Sequence, residues 1–156
     1  MHLQPLVTLP SLRLFLDAGQ PWLYAQWCGE QSEASIRQGC ELVLHHLAAQ
    51  RCQKLLNDNS GASGDWSITA KWLATYFLPQ AGELGLQYVA SVYAPGIVSR
   101  YSTALALDYF RQDAPWALAF DNLAAACAWL KRCPLRPPPA PAPPYSRPVG
   151  AARKVS

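Results

Sequence analysis

The sequence predicts an α/β fold built on a mixed, mainly parallel sheet, with the element order ββαβαβαβα and about four helices. Three observations predict it. Segments whose apolar residues alternate interleave with segments whose apolar residues recur every three or four positions. A short turn-rich link joins the first two strand-like segments, so the sheet opens with an antiparallel hairpin. Each later pair of strands is separated by a helix-length segment, which parallel neighbours require.

The elements follow in order. In Ser11 to Leu16, Leu12, Leu14 and Leu16 alternate with Arg13, the pattern of a half-buried strand. Asp17, Gly19 and Pro21 then form a turn, and Trp22 to Cys28 is an aromatic-rich second strand. Ser32 caps a helix with Glu33 in its first turn, and Ile36, Cys40, Val43, Leu44 and Leu47 form one apolar stripe. Lys54 to Asn57 reads as a short strand, followed by a polar loop from Asp58 to Trp66. Residues 67 to 84 read as a helix that Pro79 must end or kink. Leu86 to Tyr93 is a strand between Gly85 and Pro95-Gly96, and Ser99 caps a helix running to Phe110. Trp116 to Phe120 is the last strand. Asp121 caps a final helix with Leu123, Ala126, Cys127 and Leu130 facing inward.

Composition sets the limits. Apolar residues make up 51% and charged ones 15%, which excludes a disordered polyampholyte and leaves enough apolar surface for one core. Residues 1–133 form the folded domain and carry a net charge of −1, while residues 134–156 carry +4 and no acid. The basic balance therefore belongs to a tail, and a nucleic-acid-binding domain is disfavoured. Eight prolines between Pro134 and Pro148 make the tail's first part an extended, solvated polyproline segment, expected to be disordered and to act as a spacer or docking peptide. The five cysteines contain no Cys-x-x-Cys pair, and His45 and His46 are adjacent, so neither a metal centre nor a disulfide framework is indicated. No cofactor is expected. The N-terminal stretch lacks a basic leader and is broken by Pro5, Pro10 and Arg13, and no stretch is long enough for a membrane helix. These features predict a cytoplasmic protein with no membrane span and no specific nucleic-acid partner.

In an open parallel sheet, ligands gather beyond the carboxyl ends of the strands. Three loops are expected there: Asp58 to Trp66, Ala94 to Ser99, and the link at Asp121. The first is rich in small polar groups (Asp58, Asn59, Ser60, Ser63, Asp65, Ser67) and holds Gly61 and Gly64. Ser67 opens a helix, where a negative charge is favoured. Arg100 is placed to reach an anion or a carboxylate of this loop. Phosphate-loop and dinucleotide fingerprints are missing, as is a serine nucleophile elbow, and no histidine falls in the three loops. On the helix from Ser67, Trp66 and Phe77 share one face while Trp72 and Tyr76 lie on another, so an aromatic pair is left for a protein contact.

The element order, together with KLLNDNSGASGDW, the Trp-rich helix ending near FLP, VYAP followed by SRYST, and FDNLAAACAWL, resembles the SpoIIAA-like STAS domain family, including the STAS/SEC14-type bacterial proteins. The resemblance spans roughly residues 11–132. It implies a small module that acts by binding, as anti-sigma-factor antagonists do. In those, a serine opening the helix after the third strand is phosphorylated, and Ser67 lies nearest that position. The match needs a gap, places Trp66 beside the site, and has Ile68 where a glycine is expected.

The expected function is a non-catalytic regulatory domain that docks a protein partner, a second copy of the chain among them. The candidate residues are Asp58, Asn59, Ser60, Asp65, Trp66, Ser67, Trp72 and Arg100. The alternative is a carrier of a small apolar ligand or lipid, as SEC14-like proteins are, with a cavity lined by Phe77, Leu105 and Trp116. An enzyme acting on a small anion at Asp58, Asn59 and Arg100 ranks third.

Overall fold

The computed structural model describes residues 1–111 and 114–137. Strands β1 (Leu3–Thr8), β2 (Leu12–Asp17) and β3 (Trp22–Glu30) are antiparallel neighbours. Strands β3, β4 (Lys54–Ser63), β5 (Tyr88–Val92) and β6 (Trp116–Phe120) are parallel ones. Among the described residues these form one mixed sheet in the order β1-β2-β3-β4-β5-β6. The α/β class and the hairpin-then-parallel layout are as expected. The additional strand is β1. Its residues are mostly exposed and include Pro5, which hides any alternation. As an edge strand it tolerates the proline, and the register shifts between Pro5 and Val7.

Each crossover carries a helix. Helix α1 (Glu33–Gln50) joins β3 to β4, and α4 (Ile97–Tyr109) joins β5 to β6. Between β4 and β5 runs a rod of α2 (Ser67–Trp72), a π-helical turn (Leu73–Phe77) and α3 (Leu78–Glu83). Helix α5 (Leu123–Arg132) follows β6. Strand alternation divides the interior in two. Leu12, Leu14, Leu23, Ala25, Trp27, Leu55 and Val89 face α1 and the rod, meeting Cys40, Val43, Leu47 and Phe77. Trp22, Tyr24, Leu56, Tyr88, Ala90 and Val92 face the opposite side, where Ala126 and Leu130 of α5 cover them.

Local chemistry sets the helix ends. Ser32 caps α1 as expected, in a reciprocal box with Ser35. Helix α4 starts three residues earlier than expected, with Gly96 rather than Ser99 at its cap. Ser99 is buried and donates to the Gly64 carbonyl at 2.6 Å. The cap of α5 is Asn122, one residue beyond the expected Asp121, and its side chain accepts from Ala125 N at 2.9 Å.

Pro79 does not end the rod, which runs on through it into α3. The π-helical turn before it widens the spiral so that Leu78 N–H bonds to the Leu73 carbonyl, and Pro79 falls in the first turn of α3, where its missing N–H costs little. Thr75 donates to the Lys71 carbonyl at 2.7 Å in the same stretch.

Residues 134–137, the first four of the expected tail, are described. Tyr88 OH donates to the Pro134 carbonyl at 3.0 Å, and the Gln87 carboxamide both donates to Arg136 O at 2.9 Å and accepts from Arg136 N at 3.0 Å. Pro134 and Arg136 are therefore hydrogen-bonded to Tyr88 and Gln87 at the start of β5. The remainder of the tail lies outside the described residues.

Candidate functional site

Strand β4 decides where the expected site residues fall. It runs to Ser63 rather than stopping at Asn57, so Asp58, Asn59 and Ser60 are strand residues and not a loop. The polar, glycine-bearing stretch is strand because β3 pairs with it, Cys28 against Gly61 and Glu30 against Ser63, after a bulge near Gln26. Alternation then separates its groups. Asp58 points to the α5 side, where it is buried and accepts from Tyr24 OH at 2.7 Å. That bond and burial raise the Tyr24 phenol above its ordinary value, burial being the larger cause. Asn59 points to the α1 side, and Ser60 is exposed, its N–H donating to Asp58 Oδ1 at 2.9 Å.

Asp65, Trp66 and Ser67 stand together at the start of α2. Asp65 Oδ1 accepts from the Ser67 N–H at 2.9 Å and from the Ser67 hydroxyl at 2.7 Å. These bonds hold the exposed Asp65 carboxyl below its usual range. Trp66 is 5% exposed and belongs to the core, so it supports this corner from within. Trp72 is half-buried and stacks on Tyr76 with ring centroids 5.1 Å apart, beneath the Arg37 guanidinium at 4.7 Å. Arg37 is itself paired with Glu33, and Tyr76 OH reaches Glu41 at 3.3 Å. The aromatic pair is thus occupied by α1 of the same chain.

Arg100 does not reach the first loop. It pairs with Asp121 at 2.7 Å and lies 3.9 Å over the Tyr93 ring, which ties the start of α4 to the end of β6. An anion site built from Asp58, Asn59 and Arg100 is therefore not assembled, since Asp58 and Asn59 face opposite sides of the sheet and Arg100 already has a carboxylate partner.

Two features emerge that the sequence reading missed. The first is an apolar surface on the adjoining first turns of α2 and α4: Ile68 is 76% exposed, Ile97 88%, Tyr101 59% and Val98 51%. The Ser99–Gly64 bond and the 3.5 Å approach of Ser102 Oγ to Asp65 draw these turns together. A signal existed in the inward stripe of small residues Ser99, Thr103 and Ala106, which leaves Ile97 and Tyr101 on the outer face of α4.

The second is a cavity of about 80 Å³ between the sheet and the helices, walled by Trp27, Trp66, Leu73 and Phe77 among others. Its polar lining is mostly committed: Trp27 Nε1 donates to Asn57 Oδ1 at 2.8 Å, Asn57 Nδ2 to Ser91 Oγ at 3.4 Å, and Thr103 to the Ser99 carbonyl at 3.4 Å. Asn59, 8% exposed, takes part in none of these bonds. Of the residues expected to line a cavity, Phe77 does so, whereas Leu105 and Trp116 lie elsewhere and Trp116 is 59% exposed on the α5 side.

Among the described residues no group of three or more His, Cys, Asp or Glu converges as a metal site, and no helix is long and apolar enough to cross a membrane. All five cysteines are unpaired. Burial pushes the Cys40 thiol up, and that of Cys52 to about 11, so neither is an activated nucleophile at neutral pH. The sequence matches no known protein-family model and no curated protein.

Proposed function

We propose that this chain is a non-catalytic, cytoplasmic regulatory domain that docks a protein partner through the first turns of α2 and α4, in the manner of the STAS anti-sigma-factor antagonists it resembles. One observation carries the reading. Four large apolar side chains, Ile68, Ile97, Val98 and Tyr101, stand in water at the strand-end rim where such a sheet recognises ligands. The half-exposed Ser67 hydroxyl sits beside Ile68 and already bonds Asp65. A phosphate there would set a dianion against the Asp65 carboxylate and disrupt this corner, which is the switch the resemblance implies.

The test is affinity capture with the full chain and an Ile68→Asp/Ile97→Asp variant. Both positions are exposed, so the variant keeps its melting temperature within a few degrees and loses the captured partner. Equal capture by both proteins refutes the docking surface. Phosphate mapping by mass spectrometry, after incubation with ATP and cognate kinases, refutes the switch if Ser67 stays unmodified.

A second reading rests on Asn59. A cavity of about 80 Å³ holds two or three waters or one neutral molecule of similar size, far less than a lipid, so it suits a small amide or alcohol. Acetamide added to the protein should shift the Asn59 side-chain amide and Trp27 indole N–H signals, and the indole shift should be lost in Asn59→Leu. Unmoved signals exclude this reading.

A further inference from the structure

A groove of about 400 Å³ opens where β5 and β6 begin, on the α5 side of the sheet, walled by Tyr88, Trp116, Trp129, Arg132 and Arg136. It lies at the opposite rim from the first turns of α2 and α4 and is independent of the docking surface there. Its aromatic walls are set by packing. The Tyr88 and Trp129 rings meet edge to face at 5.9 Å, and Trp129 also packs on Phe120 at 5.5 Å. Trp116 is 59% exposed and, among the described residues, stacks on no other ring.

The charge around the groove is one-sided. Arg132 stands in the last turn of α5. Arg136 is placed by its backbone, whose N–H donates to the Gln87 side chain at 3.0 Å and whose carbonyl accepts from Gln87 at 2.9 Å and from Gln53 at 3.2 Å. Three bonds to two glutamines thus fix residue 136 and leave its side chain exposed. Neither arginine has a carboxylate partner among the described residues. In register beside Tyr88, Lys54 is 4% exposed, and its ammonium donates to a neutral group, the Leu130 carbonyl. Its charge also acts on the thiol of Cys133, which borders the groove. A buried cation is costly unless an opposite charge meets it. Residues 134–156 hold no Asp or Glu to do so.

An open indole face takes a flat π system, and guanidiniums take a carboxylate through paired N–H donors. The groove has the volume of about thirteen waters at about 30 Å³ each, the bulk of a two-ring acid and less than that of a nucleotide. We propose that this groove binds a small aromatic carboxylate, its ring against Trp116 and its anionic group held by Arg132 and Arg136.

The test titrates the full chain with naphthoate and follows the Trp116 and Trp129 indole N–H signals. Both should shift to saturation. Arg132→Gln/Arg136→Gln should weaken binding about tenfold or more and keep the melting temperature, because both side chains are exposed. Trp116→Ala should abolish the shift at Trp129. Naphthalenemethanol, the same ring without the charge, should bind about tenfold more weakly than naphthoate, and acetate should move neither signal. Signals that stay still, or affinity indifferent to the arginines or equal for alcohol and acid, overturn the site. Adenosine monophosphate binding more tightly than naphthoate overturns the aromatic acid and assigns the groove to a nucleotide.

Discussion

At the scale of single residues, Gly39 shows how closely helix and sheet approach. A Cβ placed there would lie 2.4 Å from Trp27 Cη2, and the Trp27 indole cannot swing away cheaply because its Nε1 is bonded to Asn57. Gly39→Ala would gain about 1 kcal/mol of helix propensity, but the overpacking it forces costs about 1–3 kcal/mol. The expected outcome is a net loss of stability, seen as a lower urea midpoint. A Gly39→Ala/Trp27→Phe double variant should recover part of it. Side-chain partners of this kind are what the sequence conceals. Arg100 has many carboxylates within plausible reach along the chain, and only the meeting of β6 with α4 selects Asp121. Asn59 likewise differs from Asp58 by one position, and that position decides between a cavity and a buried bond to Tyr24.

Elements were legible where a single face decides the pattern. The apolar stripe of α1 and the alternation of β2 are readable because each buries one side. The β4 extension was hidden because Asn, Ser and Gly are turn formers by propensity, and the backbone of β3 overrides them by pairing. The rod continues past Pro79 because a wider helical turn before it relieves the clash that ordinarily breaks a helix, a turn no residue pattern announces. The cap of α5 offers a direct check on boundary chemistry. Asn122→Ala should cost about 1 kcal/mol in a denaturant melt, the usual value of an N-cap side chain. Asp121→Ala should cost less than about 0.5 kcal/mol, because its pair with Arg100 is largely exposed. A reversal of that order would return the cap to Asp121.

The whole molecule responds to alkali through its buried acids. Burial raises the Cys40, Cys52, Cys127 and Cys133 thiols above their ordinary value of 9.0, Cys52 to about 11, and burial with the Asp58 bond raises Tyr24 above 10.0. A group whose pKa is higher folded than unfolded contributes stability that is complete below the unfolded value and lost as pH climbs through the folded one. Lys54 acts with the opposite sign. Its amino group, donating to the Leu130 carbonyl, is depressed by burial, so the cost of its charge eases as pH rises toward 10.5. Five groups oppose one, and the denaturation midpoint should hold to about pH 8.5 and fall between about 9 and 11. Cys52→Ala should flatten that fall, whatever it does to stability at neutral pH.

Neighbouring strands in this sheet are always neighbours in sequence, from β1 at one edge to β6 at the other. During synthesis, each strand leaving the ribosome can therefore join the border of what has already formed, with no earlier pairing undone and only one helical crossover to close at a time. The second layer waits. Trp22, Tyr24 and Leu56 have no cover until α5, the last helix, has been made, so a nascent chain halted before residue 123 would present a sticky aromatic flank to chaperones.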